Sequence, residues 1–274
     1  MSGPLDGARS LAQEFDQLDA IAALFDEPFD LVGTSLGAPI AAAWAAAHPS
    51  SVRRLVLYGG WATGSKIADA GVRDHILGLV EWHWGLGSDV LTDIFAPDAS
   101  ASMRKEIARY QRACSSAQTA RDLLALGYAL DVRDALAEVK VPTLVVHREK
   151  DRAAPVAQAE VLATGIPGAE LVVLPGRSHL PYVGDTHELT ATIQRFLGVR
   201  PSRRGARVLT PRQNEVAALV GEGRTNREIA ERLGITERSA EGHVERIRER
   251  LGFTSRAQIA AWSASQRNGL EPPK

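Results

Sequence analysis

The sequence predicts an α/β domain followed by a smaller all-α domain, and three observations predict it. Short apolar, β-rich runs at 29–32, 52–58, 143–146 and 171–174 are separated by stretches of helical period, the pattern of parallel strands with crossover helices. A Gly-x-Ser-x-Gly segment joins the first of those runs to an Ala-rich stretch. Towards the other end, three hydroxyl residues each stand three positions before a Glu or Gln, the signature of consecutive helix starts.

The elements follow in order. Leu11, Phe15, Leu18, Ala22 and Phe25 recur at helical spacing, which predicts an amphipathic helix closing near 26–28. The strand at 29–32 runs into Gly33-Thr34-Ser35-Leu36-Gly37, and the Ala-rich helix at 38–47 is stopped by His48-Pro49. Residues 60–139 read as several helices with no strand, carrying Trp61, Trp82, Trp84, Phe95 and Tyr110; as an insertion at about 61–139 they would cap a pocket. The last helix of this domain is expected at 188–197. Residues 198–205 contain Pro and Gly without an apolar period and read as a linker. The chain thus divides into an α/β domain at 1–197, a linker at 198–205 and a helical domain at 206–274.

A length of 274 residues allows two cores. The net charge of -1 hides an asymmetry: from Arg200 onward there are 15 Lys and Arg against 9 Asp and Glu, a balance of +6, while the rest carries 17 against 24, a balance of -7. A basic end on an acidic body suits a nucleic-acid module, because Lys and Arg release counterions from phosphates; a solvated charged face gives the same numbers. Cys114 is the only cysteine, which excludes an internal disulfide and favours a reducing compartment. MSGPLDGARS lacks a basic stretch leading into an apolar one, and no segment reaches the length of a membrane span. The expectation is a cytoplasmic protein with no membrane partner, no cofactor and no metal.

In the C-terminal domain the capping boxes are Thr210 to Gln213, Thr225 to Glu228 and Ser255 to Gln258, with Pro211 at the favoured first helical position. Ala240, Val244, Ile247 and Leu251 mark the core face of a third helix. Four short helices with tight turns make a helix-turn-helix. The stretch from LTPRQNEVAAL to RAQIAAW resembles the DNA-binding domain of LuxR-type regulators. The resemblance implies a positioning helix at 226–233, a recognition helix at 236–251 in the major groove, a dimerisation helix at 256–262 and a homodimer on double-stranded DNA. By that resemblance Thr225, Asn226 and Arg227 hold phosphate at a helix N-terminus, Arg238 and Ser239 open the recognition helix, and Glu241, Gly242, Glu245 and Arg246 lie on its outer face. Two glutamates stand there where the family commonly has a Lys or another donor; Glu accepts from cytosine N4 and repels phosphate. Arg246, Arg248, Arg250 and the linker arginines are expected to attract the backbone.

In the α/β domain, Gly33-Thr34-Ser35-Leu36-Gly37 has the context of a nucleophile elbow, a strained strand-to-helix turn. Asp151 and His179 follow strand-like runs in the order acid then histidine. His179 would take the Ser35 proton as Ser35 attacks an acyl carbon, Asp151 would orient the imidazole, and the Leu36 amide would stabilise the oxyanion. The bland alternatives are a helix-capping Asp151 and a surface His179; His48, His75, His83, His147 and His187 receive no role. Together with PTLVVHREKDRAAP and LPGRSHLPYVGD, the elbow makes residues 29–197 resemble the later half of an α/β-hydrolase domain. That family places about four strands before the nucleophile strand, including the loop that supplies a second oxyanion donor; here one helix stands there. The sequence therefore either starts downstream of the true beginning or keeps a degenerate half, and in both cases the strand at 29–32 is an open sheet edge.

The leading functional expectation is a transcription regulator whose hydrolase-like domain senses a small acyl, ester or lactone ligand. The alternatives are a serine esterase with an accessory helical domain, and a folded fragment with neither activity.

Overall fold

The structure, a computed structural model, describes residues 10–199, 209–251 and 253–268. The chain divides into two compact units, Met1–Arg200 and Pro201–Lys274. Of the expected linker, residues 200–205 lie outside the described residues, and with them its arginines.

The first unit is built on four parallel strands in the order β1 (Phe29–Thr34), β2 (Val52–Tyr58), β3 (Thr143–Arg148) and β4 (Glu170–Leu174). Leu55, Leu57 and Val145 face one side of the sheet, where α2 (Gly37–Ala47) and α8 (Val156–Gly165) cover them with Trp44, Ala159 and Leu162. Val56, Leu144 and Val146 face the other side, under Leu189, Ile193 and Phe196 of α9 (Thr186–Leu197). The run of alanines in α2 lets this helix lie flat on the sheet, and eight of its residues are buried. Between β2 and β3 stand α3 (Ala70–Trp82), α4 (Trp84–Phe95), α5 (Ala101–Cys114), α6 (Ala117–Ala129) and α7 (Arg133–Leu136), the expected helical insertion.

Helix α1 (Leu11–Ala22) ends earlier than its apolar period suggests. The amides of Leu24 and Phe25 bond back to Ile21 and Ala22, a tight turn that brings the Phe25 ring to 5.0 Å from Phe29. Pro28 then leads into β1, an edge strand of the described sheet. Its Asp30 accepts both arms of the Arg53 guanidinium at 2.9 and 2.6 Å, a charged pair on the strand that would otherwise present an apolar edge.

The second unit consists of α10 (Pro211–Gly221), α11 (Asn226–Leu233), α12 (Glu237–Leu251) and α13 (Arg256–Asn268). Thr210 and Thr225 form reciprocal capping boxes with Gln213 and Glu228, and Ser255 exchanges the same pair of bonds with Gln258. Gly234 closes α11 in the left-handed region, which turns the chain into α12. Ile229, Ile247 and Ile259 are fully buried at the centre.

Trp44 is the largest fully buried side chain of the first unit: it stacks on His48 at 4.5 Å and Phe29 at 6.0 Å, and its indole donates to Asp19 at 2.7 Å, tying α1 to α2. Trp44→Ala is expected to destabilise this unit by about 3–5 kcal/mol, read as a lowered urea midpoint.

Candidate active site and nucleic-acid interface

Ser35 adopts a φ of +53°, and no other non-glycine among the described residues has a positive φ. The turn closes on itself: the Ser35 amide donates to the Tyr58 carbonyl and the Ser35 carbonyl accepts from Ala38, both at 2.9 Å. Gly33 makes room for it, since a Cβ there would lie 2.5 Å from the Gly37 carbonyl oxygen and 2.8 Å from Ala38 Cα. Gly37 differs, for a Cβ at that position would meet nothing within 4 Å. Of the two glycines in the motif, close packing demands the first.

Ser35, His179 and Asp151 lie in a hydrogen-bonded line. His179 Nε2 is 2.7 Å from Ser35 Oγ, and its Nδ1 is 2.8 Å from Asp151 Oδ2. The carboxylate holds the ring proton on Nδ1 and leaves Nε2 with a lone pair facing the hydroxyl. Asp151 Oδ1 also accepts from the amides of Ala153 and Ala154, so the same residue orients the histidine and caps its own loop. Leu36 sits beside this line in the wall of the pocket.

Three features around the line were not legible as site residues. Gly59 and Gly60 end β2; Gly59 has a φ of +62°, and a Cβ on it would stand 3.1 Å from His179 Cε1. Two glycines directly after a strand were the available signal. Arg148, to which no role was given, is buried beneath the histidine loop. Its guanidinium donates to the carbonyls of Ser178, Val183 and Asp185, fixing the segment that carries His179 from β3. His147, for which no role was expected, is fully buried. Its Nε2 bonds the Ala154 carbonyl at 2.9 Å and stands 3.8 Å from Asp151 Oδ2, so it braces the acid loop from below.

The line opens into a cavity of about 270 Å³ between the sheet and the helical insertion, walled by apolar side chains including Trp61, Ile76, Leu91, Phe95 and Leu124. The Phe95 carbonyl accepts from the His179 amide at 2.7 Å, so α4 both walls the cavity and anchors the histidine. Such a chamber suits an apolar acyl group whose carbonyl carbon lies against Ser35.

In the second unit, burial of Ala240, Val244, Ile247 and Leu251 turns Arg238, Gly242 and Glu245 outward on α12. The α12 helix starts at Glu237, and Thr236, expected as its first residue, instead caps it through the Ser239 amide at 3.2 Å. Charge is distributed less simply than expected. Arg248 is engaged by Glu245 and the Thr254 carbonyl, and Arg250 by Gln213, so these two brace the domain. Arg238 and Arg246 make no side-chain hydrogen bond or ion pair to any described residue. Glu241 lies on the flank of the same face, one helical turn from Arg238. At the start of α11 the Thr225 amide and hydroxyl both donate to Glu228, which holds that carboxyl below its usual range. Asn226 Oδ1 accepts from Arg256 at 2.8 Å, and Arg227 pairs with Glu231. The amides of Asn226 and Arg227, which have no intrahelical acceptor, remain directed out of the helix end.

Burial pushes the His147 imidazole below its ordinary value of 6.5. As pH falls through that value the unfolded chain takes up a proton that the folded chain refuses, so the first unit loses stability on acidification. His147→Gln is expected to flatten the decline of the urea midpoint between about pH 7 and pH 5, where His titrates; an unchanged slope would count against the buried neutral histidine.

Residues 6–186 match the alpha/beta hydrolase fold family, and residues 207–263 match the luxR family of bacterial regulatory proteins. A pimeloyl-[acyl-carrier protein] methyl ester esterase from Neisseria meningitidis is 29% identical over 208 residues, covering 71% of this chain and 80% of that protein. The transcriptional regulatory protein MctR of Rhizobium johnstonii is 35% identical over 80 residues, covering 29% of this chain and 37% of that protein. Among solved structures, a bromoperoxidase from Bacillus anthracis shares the fold with a TM-score of 0.64 at 20% identity, over 72% of this chain and 77% of that one. The chain belongs to the alpha/beta hydrolase fold family, and its residues 207–263 form a DNA-binding domain of the luxR family of bacterial regulatory proteins.

Proposed function

We propose that this chain is a cytoplasmic transcription regulator that binds double-stranded DNA as a homodimer and carries a hydrolase-fold domain as the receptor for a small acyl, ester or lactone compound. The observation that carries the reading is the presence, in one chain, of a luxR-family domain and of an apolar cavity that opens onto the Ser35 line. Arg238 and Arg246, without a hydrogen-bond or ion-pair partner among the described residues, supply the phosphate attraction, while Ser239, Glu241, Gly242 and Glu245 face the groove and the Asn226 and Arg227 amides receive a phosphate. A ligand that prefers one dimer arrangement shifts DNA affinity by its differential affinity for the two states.

The test is fluorescence anisotropy on duplex DNA taken from upstream of the protein's own gene, as a function of salt. Arg238→Ala and Arg246→Ala are each expected to weaken binding and to reduce the slope of log affinity against log salt by about one. Binding that ignores salt, or that neither variant alters, would overturn the assignment of these arginines.

A second reading, serine esterase, draws support from the Ser35, His179 and Asp151 line, with the Leu36 amide as oxyanion donor. In that case ester turnover by the full chain disappears in Ser35→Ala. Equal turnover by both proteins eliminates it.

A further inference from the structure

Outside the Ser35 line, the polar side chains of the cavity wall are few, and their hydrogen-bonding capacity is unequally engaged. The Trp61 indole already donates to the Gly127 carbonyl at 3.1 Å. Tyr128 and Arg152 also line the cavity, and neither side chain makes a hydrogen bond or ion pair to a described residue. Arg152 follows Asp151 directly, and its neighbour's carboxylate is taken up by His179 and two loop amides. A second cation stands close by. Arg73, on α3 between the cavity-lining Val72 and Ile76, lies with its guanidinium carbon 5.9 Å from the centre of the Tyr128 ring, and its Nε is buried without a partner. No described carboxylate lies within 4 Å of either arginine, whereas most other arginines of this unit are paired: Arg53 with Asp30, Arg121 with Glu81, Arg133 with Asp131, Arg177 with Asp98.

Resting on the receptor reading above, we propose that the cavity takes an acyl ester carrying a carboxylate at the far end of an apolar chain. Arg152 holds that carboxylate, Tyr128 donates a second hydrogen bond to it, and Arg73 raises the positive potential of the same wall. The apolar chain fills the space against Ile76, Leu91 and Leu124, and the ester carbonyl meets Ser35. The physical basis is chemical: the Arg152 side chain is exposed and has no carboxylate partner among the described residues, so a ligand carboxylate adds a two-pronged, charge-assisted hydrogen bond that a neutral ester cannot make.

Titration calorimetry on the full chain, in a Ser35→Ala background so that the probes are not consumed, compares monomethyl adipate with dimethyl adipate. Monomethyl adipate is expected to bind about threefold to fivefold more tightly, the strength of one exposed ion pair. Arg152→Gln should abolish that preference while leaving the diester affinity unchanged, which also shows that the variant is folded. Arg73→Gln should reduce the preference in part. Binding of both esters with no preference, or a preference that survives Arg152→Gln because the arginine is merely solvated, overturns the carboxylate assignment and leaves the receptor reading standing. Failure of both esters to bind overturns the two together.

Discussion

The site in the first unit depends on one constraint, the left-handed turn at Ser35. A residue with a side chain costs about 1–3 kcal/mol in that conformation, so the turn survives only because its surroundings leave it no alternative. Gly33 allows α2 to press against the end of β1, closer than any Cβ would permit. The Ser35 amide is held by β2 and its carbonyl by Ala38. Packing that is ordinary in itself, an alanine-rich helix flat on a parallel sheet, thereby lifts a hydroxyl out of the strand and presents it to the cavity.

The partners of that hydroxyl come from loops, which fix nothing by themselves. Each is held by a buried polar side chain behind it. Arg148 gathers three carbonyls of the histidine segment, and His147 grips the carbonyl of Ala154 while Asp151 accepts amides of the same loop. Both residues stand at the end of β3, an interior strand paired with β2 and β4. Buried groups of this kind rigidify when their hydrogen bonds are made and are costly when one is lost. A nucleophile domain that acts as a receptor keeps the same scaffold, because a fixed cavity binds without first being ordered.

What could be read from the residues was whatever is local in the chain. The strands at 52–58 and 143–146, the Ala-rich helix and the elbow each follow from a period or a short motif, and so do the capping boxes at Thr210, Thr225 and Ser255. Through-space relations were not legible. Arg148 went unnoticed because its carbonyl partners lie 30 or more residues away in sequence, and Gly59 because the atom it clears space for belongs to His179. On α12 the period identified the buried face, but it could not tell that Arg248 and Arg250 brace the domain while Arg238 and Arg246 engage none of the described residues. The early end of α1 had a similar cause: Phe25 kept the apolar period and nevertheless turned to pack on Phe29.

The luxR-family domain gives the chain its output, and a working Ser35 line would make the other unit more than a shell of the same fold. The most direct measurement is reaction of the full chain with a small fluorophosphonate, followed by intact-mass analysis. The hydrogen-bonded line predicts a single adduct on Ser35, formed about a hundredfold more slowly in His179→Ala if His179 serves as its general base. No adduct, or labelling at a rate indifferent to the loss of His179, would contradict an activated serine at this turn.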